Sequence, residues 1–170
     1  MSKRSKSTRL HTIGAPLRGA GVIEEREHDA YRADHKPPEP TVCPQCRATY
    51  HAGRWQWSAS PAGAHETLCP ACRRIRDDFP AGYLTIEGEF FAQHRDELMR
   101  LINHRAEHAK AEHPLQRVMA IEERADGVLV TTTDTHLARN FGEALEHAHQ
   151  GELKFHYEDA QDRLRVHWTR

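Results

Sequence analysis

Apolar residues return along this chain at two spacings, and each spacing predicts a different kind of element. Between residues 89 and 113, Phe91, Leu98, Leu101, Ile102 and Ala109 recur at steps of three and four, while Arg95, Asp96, Glu97, Arg100 and Lys110 fill the remaining positions. That rhythm predicts an amphipathic helix ended by Pro114. A second helical stripe, Leu137, Ala138, Phe141, Leu145 and Ala148, predicts a helix that Thr133 or Asp134 caps and Gly151 stops. Elsewhere the period is two. Residues 83–87, 117–123 and 128–133 read as strands, with Asp126-Gly127 as the hairpin turn between the last two. Leu153, Phe155 and Tyr157, then Leu164, Val166 and Trp168, give two more. Trp55 and Trp57 alternate in the same way within a β-excursion that starts at Ala48.

The cysteines add a constraint of another kind. All of them lie in Cys43-Pro-Gln-Cys46 and Cys69-Pro-Ala-Cys72. A Cys-x-x-Cys pair turns the backbone so that both thiolates face one centre, and two pairs supply a tetrahedral site. Four soft anionic ligands shut the metal off from water, which points to one structural Zn²⁺ held by Cys43, Cys46, Cys69 and Cys72. The alternatives are two disulfides or a dithiol redox centre. No secretory signal precedes the cysteines, and a thioredoxin-like centre uses a single CxxC in a βαβ unit. Glycine often follows the second cysteine of a zinc knuckle, where a left-handed backbone is convenient. Here Arg47 and Arg73 stand in those places.

These patterns predict an α+β protein: an N-terminal zinc ribbon, a central amphipathic helix, and a C-terminal ββαββ antiparallel sheet with one helix packed on it. The expected divisions are a disordered arm at 1–40, the ribbon at 41–88, the connecting helix at 89–114 and the ββαββ domain at 115–170. The arm is basic over 1–18 and mostly acidic over 19–40, and Pro37, Pro38 and Pro40 interrupt regular structure before the first cysteine. At 170 residues the chain accommodates one domain or two small ones. Its mean hydropathy of −0.81 and the lack of an apolar run near ~18 residues exclude a membrane-spanning helix. The start, Met1-Ser-Lys-Arg-Ser-Lys, lacks the apolar core of a signal peptide, so a cytoplasmic protein is expected.

A net charge of −1 supplies no global attraction for nucleic acid, so any such contact must come from local patches. Arg73, Arg74 and Arg76 crowd one edge of the cysteine site, and Arg54 adjoins Trp55. Strand alternation sets Lys154, His156, Arg163, Arg165 and His167 on the face opposite the packed helix. Arg54, Arg73, Arg74, Arg76, Lys154, Arg163 and Arg165 are therefore the candidate contacts for RNA or a ribonucleoprotein. The competing reading is a zinc-stabilised protein–protein module whose charges are only solvated. The tryptophans divide similarly: they stack bases, or they fill the small core of the ribbon.

Catalysis finds little support. No Ser/His/Asp order, phosphate-binding glycine loop or carboxylate pair is evident, and no small-molecule substrate is implied. His104-Arg-Ala-Glu107-His108 has the H-x-x-E-H form of a metalloprotease helix. It would need a third ligand, and the surrounding sequence is simply rich in histidine.

Four stretches carry a resemblance: Pro38-Glu-Pro-Thr-Val-Cys-Pro-Gln-Cys46, Gly53-Arg-Trp55, Cys69-Pro-Ala-Cys-Arg73 and Val130-Thr-Thr-Thr-Asp-Thr-His-Leu-Ala-Arg139. Together they resemble a family of small bacterial zinc-ribbon proteins, from about residue 25 onward. More distantly, the double CxxC is similar to the N-terminal zinc-binding region of the archaeal and eukaryotic adaptor that escorts large ribosomal subunits. That similarity implies contact with RNA or the ribosome and no enzymatic role. Only the four cysteines carry over, as metal ligands.

Overall fold

A computed structural model describes Tyr31, residues 36–158 and residues 162–170. The arm expected over 1–40 lies outside the described residues except for Tyr31 and 36–40. Those last residues are already structural: the Glu39 carboxylate accepts from the Ala52 and Gly53 amides at 2.8 and 2.9 Å, and Pro40 accepts from the His65 amide at 2.9 Å.

The N-terminal part is a small sheet in the order β3-β2-β1-β4, made of β1 (Thr41–Val42), β2 (Thr49–His51), β3 (Arg54–Gln56) and β4 (His65–Glu66). β2 and β3 form a hairpin whose turn residues Ala52 and Gly53 both have positive φ, 51° and 76°. That matches a type I′ turn, which follows the natural twist of two strands. Helix α1 (Pro70–Arg76) closes this part. It begins at the second cysteine pair because Cys69 is the N-cap and Pro70 sits where its missing N–H costs nothing.

The larger sheet contains β5 (Gly82–Glu87), β6 (Val118–Arg124), β7 (Gly127–Thr132), β8 (Glu152–Glu158) and β9 (Arg163–Thr169), in the order β6-β7-β5-β9-β8. The α+β class is as expected, but the sheet differs in two respects. Strand 82–87, expected to close the ribbon, is the central strand of this sheet. It runs parallel to β9, so the sheet is mixed rather than antiparallel. The reason is burial: Leu84 and Ile86 are fully buried, and only a strand flanked on both edges and covered by helices hides them this completely.

Helices α2 (Glu89–Glu112) and α3 (Thr135–His149) cover one face. Phe91, Leu98 and Ile102 of α2 join Leu137, Phe141 and Leu145 of α3 over Leu84, Ile86, Val128, Val130, Leu164, Val166 and Trp168. Each fully buried side chain of this kind contributes roughly 1.5–3 kcal/mol. Asp134 caps α3 by accepting from the Leu137 amide at 3.0 Å. Within that helix Ala144 is buried in place of the expected Ala148. Gly142 lets α3 lie tight on the sheet, since a Cβ there would sit 2.6 Å from Val166 and 2.8 Å from Leu153. The central helix thus belongs to the larger core, and its far end reaches the small sheet: Trp57 Nε1 donates to the Lys110 carbonyl at 2.6 Å. No helix among the described residues is long and apolar enough to cross a membrane.

Candidate metal centre

The first knuckle is a tight turn in which the Arg47 amide donates to the Cys43 carbonyl at 2.9 Å and the Cys43 amide to Ala48 at 2.8 Å. Arg47 occupies the left-handed conformation, φ 66°, at the position where glycine is customary. Arg73 needs no such conformation because the second knuckle runs directly into α1. The two turns bring the Sγ atoms of Cys43, Cys46, Cys69 and Cys72 within 4.8 Å of one another. Among the described residues this is the one such cluster, so His104 and His108 are not gathered with further ligands. His108 instead lies 3.5 Å from Glu112, and both histidines are exposed.

The spacing fits a metal ion. Sulfurs at the corners of a tetrahedron with ~2.3 Å zinc–sulfur bonds lie about 3.8 Å apart, and Cys46 Sγ is 3.7 Å from Cys69 Sγ. A disulfide requires about 2.05 Å, and all four cysteines are free. Cys43, Cys69 and Cys72 are buried, Cys46 is half-buried, and Leu68, Trp55 and Leu115 pack around the cluster. This is a closed site. The four cysteines form a centre able to hold one metal ion.

Amides and one arginine condition the thiols. The Cys69 amide points at Cys43 Sγ and the Cys72 amide at Cys69 Sγ, each at 3.4 Å. Burial pushes the Cys43 thiol up, but the Cys69, Cys46 and Gln45 amides outweigh it and bring it down to about 7. Burial dominates at Cys69, whose thiol rises further beside the other cysteines, and also at Cys72. Arg117 opposes this crowding of charge. Its guanidinium donates to Cys46 Sγ at 3.0 Å and Cys72 Sγ at 3.3 Å, with Cys69 Sγ at 3.8 Å. Burial alone would lower the Arg117 pKa, yet its bonds to Cys46 and Cys72 raise it. Pro114 accepts from Arg117 Nε at 2.7 Å, and Thr133 Oγ1 accepts from its amide at 2.9 Å, so the arginine is anchored from behind. Sequence reasoning assigned Arg117 to a strand and missed this role. No local pattern marks it, because its partners lie 45 and 71 residues away.

The candidate nucleic-acid contacts are dispersed. Arg74 is 2 % exposed, its Nη1 donating to the Phe79 carbonyl at 2.9 Å and its charge lying over the Tyr31 ring. A guanidinium this deep cannot reach an external phosphate, so Arg74 leaves the candidate set. Arg76 is 2.7 Å from Asp77. On the larger sheet, Lys154 pairs with Glu152 at 2.8 Å, Arg165 with Glu158 at 2.6 Å and His167 with Glu87 at 2.7 Å, while Arg163 stacks on Phe79 at 4.1 Å. The expected basic strip therefore carries its own carboxylates. Glu158 is held below the usual carboxylate range by its bond from Arg165. Arg54 is exposed and Arg73 half-exposed on the small sheet's side, with no ion pair among the described residues. Neither a scan against protein-family models nor a search of the curated proteins finds a match to this chain.

Proposed function

We propose that the cysteines hold one structural Zn²⁺ and that the protein is a non-catalytic binding module whose partner is another protein. An all-thiolate, closed donor set suits zinc in a structural role. When bound, the ion would supply folding energy to a small sheet that has almost no core of its own. The observation that carries the choice of partner is the pairing of Lys154, Arg165 and His167 with Glu152, Glu158 and Glu87. A phosphate backbone arriving there would have to displace carboxylates, and counterion release would drive little binding.

One specific observation favours RNA as the second reading. Lys36, Arg47, Arg54 and Arg73 have no ion pair among the described residues, and Lys36 and Arg73 share a concavity with Trp55. The test is affinity purification with and without nuclease, at about 0.15 M and about 0.5 M salt, where screening lengths differ nearly two-fold. The protein reading expects one partner recovered under all conditions and lost from Cys43→Ser/Cys69→Ser. Recovery of RNA that Arg54→Glu/Arg73→Glu abolishes would replace it with the second.

A further inference from the structure

The larger sheet ends in two edge strands, and they are treated differently. Exposed edges are normally blunted by bulges, covering side chains or charge. β6 shows such devices: its register shifts between Val118 and Ala120, and Arg95 of α2 reaches across to Glu123. β8 shows neither. It pairs with β9 from Glu152 to Glu158 in unbroken register, and among the described residues no strand covers its other side. Phe155 and Tyr157 lie on the helix-side face, opposite buried Val166 and Leu164, yet they are 37 % and 52 % exposed. Arg139 of α3 spans them from above, its guanidinium 5.2 Å from the Phe155 ring and its Nη1 3.1 Å from the Tyr157 hydroxyl.

We infer that β8 pairs antiparallel with β8 of a second copy of this chain, about a two-fold axis at His156. Side chains alternate faces, so a two-fold register must oppose residues of the same face and centre on a residue. Centring on Lys154 sets two lysines against each other, and centring on Phe155 sets Glu152 against Glu158. Centring on His156 sets the two His156 side chains against each other on the axis, and it alone among these three sets Lys154 opposite Glu158 and Phe155 opposite Tyr157, each twice. Opposite charges and paired aromatics are the cross-strand combinations that stabilise a sheet. Because Glu152 already binds Lys154 and Arg165 already binds Glu158, the join completes a row of alternating sign, Glu152–Lys154–Glu158–Arg165, running from one copy to the other. The contact is isologous, so it closes at two copies. Self-pairing of β6 lacks this match, placing Glu123 against Met119 and Glu122 against Ala120 about Ile121.

Light scattering after size exclusion, on the full chain over a concentration series, tests the pairing. Wild type is expected to form a dimer. Lys154→Glu and Glu158→Lys, each alone, oppose like charges twice and should raise the dimer Kd about tenfold. Mixing the two variants puts opposite charges back at both positions and should recover wild-type affinity. Metal content and circular dichroism confirm that each variant is folded, and amide exchange at 154–158 in wild type should slow as concentration rises. A monomer at every concentration, a dimer indifferent to Lys154→Glu, or a mixture no tighter than its components would overturn the inference.

Discussion

Arg117 Nη2 lies 3.0 Å from Cys46 Sγ, which ties the first knuckle to a residue at the threshold of β6. Two modules that the chain writes separately are thereby joined at the metal centre. Arg117→Ala is expected to weaken zinc affinity about 10–100-fold, the usual cost of losing a group that supports metal ligands. Arg117→Lys should recover only part, because an ammonium cannot fork to two sulfurs. Competition with a chromophoric chelator at fixed pH reads both.

Elemental analysis of the purified protein should give one zinc per chain, lost in Cys43→Ser/Cys69→Ser and kept in His104→Ala. A second zinc that disappears with His104→Ala would reinstate the H-x-x-E-H helix as a metal site. Chelation should leave amides of β1–β3 unprotected from exchange while β5, β7 and β9 remain protected, since the larger core contains none of the ligands.

Trp168 is fully buried beneath the helices, and its Nε1 donates to the Gln150 carbonyl at 2.8 Å. Trp168→Ala should cost about 3–5 kcal/mol in urea unfolding. Trp168→Phe should cost less, about 1–3 kcal/mol, most of it from the carbonyl left unpaired.

The Gly53 and Ala52 amides hold Glu39 below its ordinary value of 4.5. A depressed carboxylate binds fewer protons folded than unfolded, so its contribution is complete above the unfolded value and fades as pH falls through the folded one. Exchange of the Ala52 and Gly53 amides should therefore accelerate, beyond its intrinsic pH dependence, below pH 4.5 in wild type. Glu39→Gln should remove that extra acceleration.

Much of this was legible in the residues themselves. Period-two and period-three-to-four spacing located the longer strands and both long helices, and the paired CxxC located the four cysteines of the candidate centre, because these signals are local. The two-residue strands β1 and β4 and the short helix α1 are too brief to show a period. What escaped was long-range. Alternation at Leu84 and Ile86 announces a strand without saying which sheet it joins. An arginine count does not reveal that Glu87 of β5 reaches His167 of β9, or that Arg74 turns inward over Tyr31. Arg117 is the extreme case: its chemistry exists only once two distant parts of the chain meet.

The position of β5 also bears on the order of folding. Gly82 pairs with Leu164 and Ile86 with Trp168, so the middle of the sheet is completed by the strand made after every other described element. The cysteine centre, by contrast, needs only the chain as far as Cys72 to gather its ligands. During synthesis the metal end can therefore form early and wait, while β5 stands half-paired until β9 emerges. Such a high-contact-order closure makes for slow folding, and during that interval the apolar side of β5 is the surface most in need of protection.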